Sequence, residues 1–290
     1  MSSLKVIQFS DPHLARDRPY FLFNWSLVVG WINEARPDLV VCTGDMALNG
    51  VSIDDDLAYA REQFNRIEAP WLVVPGNHDV GNNRPDVRGE EVVTEARLDV
   101  YRKHFGPDHW RRDIGAWSFI GLNSLIVGSG FAAEEQQWSF LQAELDACRP
   151  RPIAIFLHKP PFLMRADEST LHQGCLYPEP RKRFLDMLEG SSVRLVSAGH
   201  NHELASKVYN GIDIAWCPAT SFVIKRGYPE PRGGGRRIPG YLELSLSERD
   251  LTITPVLPKQ MLVIDAGGWL VDGIELYQRY TTASGGEASE

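Results

Sequence analysis

Leu4-Lys5-Val6-Ile7-Gln8-Phe9-Ser10-Asp11-Pro12-His13 is an apolar run ending in a carboxylate and an imidazole two positions apart. Its apolar half reads as a buried strand over Leu4–Phe9. Pro12 fixes the turn between Asp11 and His13, and in a strand-like exit residues i and i+2 project the same way. Four more apolar runs downstream end in potential ligands, and His200 and His202 repeat the two-residue spacing. Leu39–Thr43 runs into Gly44-Asp45, and Trp71–Val74 into Gly76-Asn77-His78-Asp79. Ile153–Leu157 runs into His158, and Val193–Ser197 into Gly199-His200-Asn201-His202.

Between these strands lie helical stretches. Phe21–Ala35 is helical and stops near Pro37. Asp54–Ile67 is a second helix, with Asp54 as its N-cap and Leu57, Ala60, Phe64 and Ile67 at helical spacing. Strand–helix alternation implies βαβ units and a largely parallel sheet. Further along, Glu90–Phe105, Ala133–Cys148 and Arg181–Glu189 read as helices, and Trp117–Leu122 and Ser124–Val127 as strands. The pattern then turns all-β over Glu203–Tyr209, Ile212–Cys217, Tyr241–Ser245 and Leu251–Val256. We expect these to form a second sheet packed on the first, giving an α/β sandwich with flanking helices. Pro229–Gly240, with Gly233-Gly234-Gly235 between arginines, reads as a flexible surface loop. Residues 1–258 are expected to form the domain and 259–290 an extension. In it Met261–Asp265 and Trp269–Tyr277 carry enough apolar surface to dock, and Thr281–Glu290 is a fraying tail. That apolar surface could close the core or seal a homodimer.

A chain of 290 residues, 43% hydrophobic, buries one large core. Its net charge of -8 argues against a nucleic-acid partner. Cys42, Cys148, Cys175 and Cys217 show no CxxC pairing, so a disulfide framework is not expected and a reducing cytoplasm fits. The amino terminus lacks a signal-peptide pattern, and no run approaches the length of a membrane span.

Asp11, Asp45, Asn77, His158 and His200 all stand just past the carboxyl end of a strand, the edge where ligands bind in open α/β sheets. Five sequence-distant blocks would thus converge on one rim. Mixed carboxylate, imidazole and amide donors with no nearby Cys suit Mn, Fe or Zn held without thiolates. His104, His109 and His172 are read as structural, although His172 could instead line a pocket. Asp54-Asp55-Asp56 is read as a solvated helix start favoured by the helix dipole. Arg16 and Arg18 either reach a substrate phosphate or lie on the surface. The arginines of Arg232–Arg237 are read as solvated, with a lid as the minor alternative.

These blocks resemble the calcineurin-like metallophosphoesterase family, whose pattern is D-x-H, G-D, G-N-H-[DE], H and G-H-x-H. The resemblance covers Val6–His202 and implies a four-layer α/β/β/α sandwich of two mixed sheets flanked by helices. It also implies two metal ions, one held by Asp11, His13, Asp45 and His202, the other by Asp45, Asn77, His158 and His200, with Asp45 bridging. Two adjacent cations lower the pKa of a shared water and clamp the phosphoryl oxygens. By the same resemblance His78 faces the scissile phosphate and Asp79 holds its imidazole in one tautomer.

Gly44-Asp45 is followed by Met46-Ala47-Leu48-Asn49-Gly50 rather than the Asp-Arg-Gly usual in the family's protein phosphatases. The length and the GNHD block look more like bacterial class III cyclic nucleotide phosphodiesterases and related glycerophosphodiesterases. Cys217-Pro218-Ala219-Thr220-Ser221-Phe222 resembles a segment found in that group. Leu157-His158-Lys159-Pro160-Pro161 departs from it, with Lys159 where a second histidine is common. That lysine either adds charge near the phosphate or faces solvent. The implied activity is hydrolysis of a small phosphodiester, such as a 3',5'-cyclic nucleotide, with glycerophosphodiester or phosphomonoester hydrolysis as alternatives. A non-catalytic scaffold on the same fold is the contrasting reading, and retention of every ligand and of His78 weighs against it.

Overall fold

In the computed structural model, residues 3–83, 92–226, 230–248 and 250–267 are described. Strand–helix alternation opens the chain as β1 (Leu4–Phe9), α1 (Leu22–Ala35), β2 (Leu39–Cys42), α2 (Asp54–Phe64), β3 (Trp71–Val73), the single turn α3 (Asn77–Val80) and α4 (Glu95–Phe105). The middle of the chain supplies β4 (Trp110–Ile114), β5 (Trp117–Gly121), α5 (Ala132–Ala147), β6 (Ile153–Phe156), α6 (Pro178–Leu188) and β7 (Val193–Ala198). Four strands follow: β8 (Ala205–Tyr209), β9 (Ile212–Trp216), β10 (Tyr241–Leu246) and β11 (Leu251–Val256).

Two mixed sheets result, in the orders β11-β10-β1-β2-β3 and β4-β5-β6-β7-β9-β8. β1, β2 and β3 run parallel, as do β5, β6, β7 and β9; the outer strands pair antiparallel. Period-two side-chain alternation separates three apolar layers. Ile7 and Phe9 of β1, with Val40 and Cys42 of β2, pack against Trp25, Val28 and Phe64 from α1 and α2. Val6, Leu39 and Val41 turn the other way and meet Phe119, Ala154, Phe156 and Leu195 of the second sheet. Ile153 and Ile155 face Trp138, Leu141, Phe184 and Leu188 of α5 and α6. These layers build the expected sandwich.

The last four strands do not form a sheet of their own. β8 and β9 close the second sheet as a hairpin over Asn210-Gly211, whose positive φ values of 48° and 80° suit the right-handed strand twist. β10 and β11 return to the free edge of β1. Ser124–Val127 is a turn rather than a strand: Asn83 Nδ2 donates to the carbonyls of Ser124, Leu125 and Val127 at 2.9, 3.1 and 2.9 Å, occupying groups a sheet neighbour would need. Asp54 is the first helical residue, with Ile53 at the cap. Of the acidic triplet, Asp56 is buried and bonded by Arg18 at 2.6 Å, so that helix start is only partly solvated.

Near the described carboxyl end, Met261 joins the core beside α1. Asn24 donates to the Leu262 carbonyl (2.9 Å) and accepts its N–H (2.8 Å). Trp269–Tyr277, the Thr281–Glu290 tail and the first residues of the expected Glu90–Phe105 helix lie outside the described residues. Among the described residues all four cysteines are buried and free, and no helix is long and apolar enough to cross a membrane.

Candidate metal centre

Because β1, β2 and β3 are parallel neighbours, as are β6 and β7, all five motif blocks leave their strands on one rim. The chain there turns sharply. Asp11, His13, Asp45, His200 and His202 have φ between 46° and 69°, a left-handed conformation costing a non-glycine residue about 1–2 kcal/mol. Among the described residues only Arg36 and Asn210 share it without belonging to the blocks. Strain concentrated this way persists where surrounding bonds over-determine it. Here the Asp11 and His13 amides donate to the Gly44 and Asp45 carbonyls, each at 3.0 Å, and His200 N donates to Asp11 Oδ2 at 3.1 Å. Gly76 leaves room for the Asp45 carboxylate, since a Cβ there would lie 2.1 Å from Asp45 Oδ1.

Three sets of donors gather, each within 4.8 Å: Asp11, His13 and His202; His13, Asp45 and His78; and Asp45, His158 and His200. Asp45 is common to the last two and lies between the others. Its Oδ2 is 3.6 Å from His13 Nε2 and 3.4 Å from His158 Nε2. His202 Nε2 is 3.3 Å from Asp11 Oδ1, and His158 Nε2 is 3.1 Å from Asn77 Oδ1 and 3.0 Å from His200 Nδ1. Asp11 Oδ1 is buried without a hydrogen-bond partner. An orphaned carboxylate oxygen facing imidazole nitrogens suits a cation. All seven expected metal-ligand positions are therefore brought together, with His78 beside them.

Backbone carbonyls orient the rings. His158 Nδ1 donates to Thr43 O at 2.7 Å, His202 Nδ1 to Phe222 O at 2.8 Å, and His200 Nε2 to Gln173 O at 3.0 Å. A carbonyl only accepts, so each facing nitrogen carries a proton, and in the neutral ring the opposite nitrogen presents its lone pair to the cluster. His78 Nδ1 donates to Leu48 O at 2.8 Å. Asp79 does not hold that ring. Its carboxylate is fully buried and accepts the amides of Met46 (3.3 Å), Ala47 (2.9 Å) and Gly76 (2.8 Å), pinning two site loops together.

Charge is balanced locally. Burial drives His13 and His200 well below the usual imidazole range, helped by His78 at the first and His158 at the second. Burial also opposes ionisation of Asp45, but His158, His78 and His13 outweigh it and hold the carboxyl well below its usual range. In turn, Asp45 lifts His158 to about 9 against the effect of burial. Burial, then Asp45, raises Asp79 to about 7.

A cavity of about 770 Å³ opens over the cluster. Its lining includes His78, Asn77, Asp45, His200 and His202, an apolar wall of Phe21, Phe222 and Ile224, and the polar Asn82, Gln173, Arg18 and Arg232. Arg18 thus reaches the cavity, whereas Arg16 pairs with Asp55 and Glu62 on the surface. Lys159 is fully buried and donates to Asn82 Oδ1, so it does not face solvent. His104 bonds Asp54, and His109 packs on Phe140, both away from the cavity. His172 bonds the Gly174 amide beside it. The orienting carbonyls of Thr43, Leu48, Gln173 and Phe222 escape sequence reading because a backbone group leaves no side-chain signature.

Residues 4–204 match the family model described as calcineurin-like phosphoesterase. A probable glycerophosphodiester phosphodiesterase of Arcobacter nitrofigilis is 25% identical over 225 residues, 72% of this chain and 76% of that protein. A probable cyclic nucleotide phosphodiesterase of Vesicomyosocius okutanii is 25% identical over 225 residues, 74% of this chain and 86% of the relative. A dimetal phosphatase from Danio rerio superposes with TM-score 0.59 at 14% identity, covering 88% of this chain and 96% of its own, a likeness of fold.

Proposed function

The chain belongs to the calcineurin-like phosphoesterase family and is a phosphoric ester hydrolase; on that premise we propose a binuclear phosphodiesterase that cleaves a small phosphodiester. The carrying observation is the donor cluster in which Asp45 lies between two sets of imidazoles. Asp11, His13, Asp45 and His202 would hold one ion, and Asp45, Asn77, His158 and His200 the other. Manganese, iron and zinc all suit such nitrogen and oxygen donors. When bound, such a pair supplies an acidified water and charge neutralisation for phosphoryl transfer.

The protein's own residues do the rest. Carbonyls of Thr43, Phe222 and Gln173 fix the three rings in the tautomer that offers a lone pair. With Nδ1 engaged by Leu48, His78 turns its other ring nitrogen to the cavity side, where, when that nitrogen carries a second proton, the imidazolium stabilises charge on the leaving oxygen or protonates it. The cavity is large enough for a nucleotide-sized diester, and Phe21 and Phe222 give its base or another apolar group a surface. The phosphodiesterase names of the relatives support a diester. Four buried thiols suit a reducing cytoplasm.

The test is a parallel assay of metal-stripped protein reloaded with Mn, Zn or Fe. Substrates are cyclic AMP, glycerophosphocholine, a phosphomonoester and bis(p-nitrophenyl) phosphate. Metal-dependent turnover of a natural diester above the generic one is expected. Turnover of the monoester alone redirects the reading to a phosphomonoesterase; inactivity in protein carrying two ions per chain sinks it.

A further inference from the structure

The segment Arg232-Gly233-Gly234-Gly235-Arg236-Arg237 looks flexible in sequence, yet it is clamped to the last metal-motif block. Glu203 follows His202 and is buried. Its carboxylate accepts the Arg232 amide at 2.6 Å and the Gly233 amide at 2.9 Å, and lies 3.6 Å from Arg237 Nε. Next along, Leu204 and Arg236 exchange two backbone bonds of 2.8 Å. A Cβ at Gly235 would come within 2.5 Å of the Leu204 carbonyl, so the close approach requires glycine.

This clamp holds Arg232 at the wall of the 770 Å³ cavity, with Gln173 and His200.

We propose that Arg232 is a specificity-determining residue that binds the phosphate group of the substrate, and that Glu203 is its positioning residue. The inference rests on the phosphoesterase reading of the same cavity. Guanidinium suits the task because it offers a planar fork of donors to phosphate oxygens. A buried carboxylate anchoring the loop spares the cost of ordering it when substrate arrives.

The test uses full-length, metal-loaded protein with two readouts. One is kcat and KM on bis(p-nitrophenyl) phosphate; the other is binding of inorganic phosphate by calorimetry. Arg232→Ala should raise KM, and weaken phosphate binding, by about tenfold or more, with kcat less affected and metal content and melting temperature unchanged. Arg232→Lys should recover part of the loss. Glu203→Gln should move both readouts the same way, and Arg232→Ala added to it should cost less than in the wild type. Wild-type values for Arg232→Ala, in a background that turns over and binds phosphate, overturn the role of Arg232 alone. Additive effects overturn the positioning role of Glu203. A wild-type protein that neither turns over nor binds phosphate overturns the phosphoesterase reading, and this inference with it.

Discussion

Asn77 contributes an uncharged amide oxygen 3.1 Å from His158 Nε2, on a flank otherwise made of imidazoles and the Asp45 carboxylate. Removing it should take one donor from a single ion and leave the folded frame intact. Asn77→Ala is expected to lower metal content from two ions per chain toward one and to cut kcat about a hundredfold or more; elemental analysis beside steady-state kinetics checks both, and full activity removes Asn77 from the ligand set. His78→Ala should behave differently, because its Nδ1 is engaged by Leu48 and the ring lines the cavity. Both ions should stay while kcat falls about 10²–10⁴-fold, most for alkoxide leaving groups and least for p-nitrophenolate. An equal loss on both leaving groups counts against proton donation, and loss of metal counts against the role altogether. The neighbouring Asp79 shows where reading by resemblance stops. A carboxylate beside a histidine suggests a ring partner, but Asp79 accepts three backbone amides instead.

Elements are joined by buried polar residues that periodicity does not reveal. Strand β4 carries Arg111, Arg112 and Asp113, so it lacks the apolar signal that marked β5 and β6, and it forms only as the antiparallel edge of β5. Just before it stands Asp108, which accepts Arg102 of α4 (3.2 and 3.3 Å) and Asn123 beyond β5 (2.9 Å). Burial pushes that carboxyl up, but His109 3.5 Å away, the Asn123 hydrogen bond and Arg102 outweigh it and hold it well below the usual range. A depressed folded pKa contributes stability that is present above the unfolded value of about 4 and lost as pH falls through the folded one. Asp108→Asn is therefore expected to cost about 2 kcal/mol at neutral pH, with the gap to wild type narrowing below about pH 4. Urea melts of both proteins across pH measure it. A gap independent of pH would mean that packing, not charge, joins these elements.

Across the whole molecule, what sequence conveyed was whatever side chains announce: apolar strands, helical spacing and the five blocks at strand ends. Hidden were the assignments that depend on backbone partners. Strands β10 and β11 go to the edge of β1, residues 124–127 turn because Asn83 takes their carbonyls, and the Cys217–Phe222 segment crosses to present the Phe222 carbonyl to His202. These contacts matter because the candidate metal centre spans the sandwich. Asp11, His13, Asp45 and Asn77 follow strands of the first sheet, and His158, His200 and His202 follow strands of the second. Ions bound there would bridge the two halves and would counter the left-handed strain of five residues. Ligands that bind only the folded state stabilise it by mass action, about 2.7 kcal/mol at a hundredfold excess over Kd. Stripping the metals should therefore lower the melting temperature by about 2–4 °C for each kcal/mol lost, and reloading should restore it. Hydrogen exchange should quicken in the five strand-end loops on both sheets while the helix-facing layers stay protected. Faster exchange on one sheet alone would place the ions on one side and rule out a bridge across the sandwich.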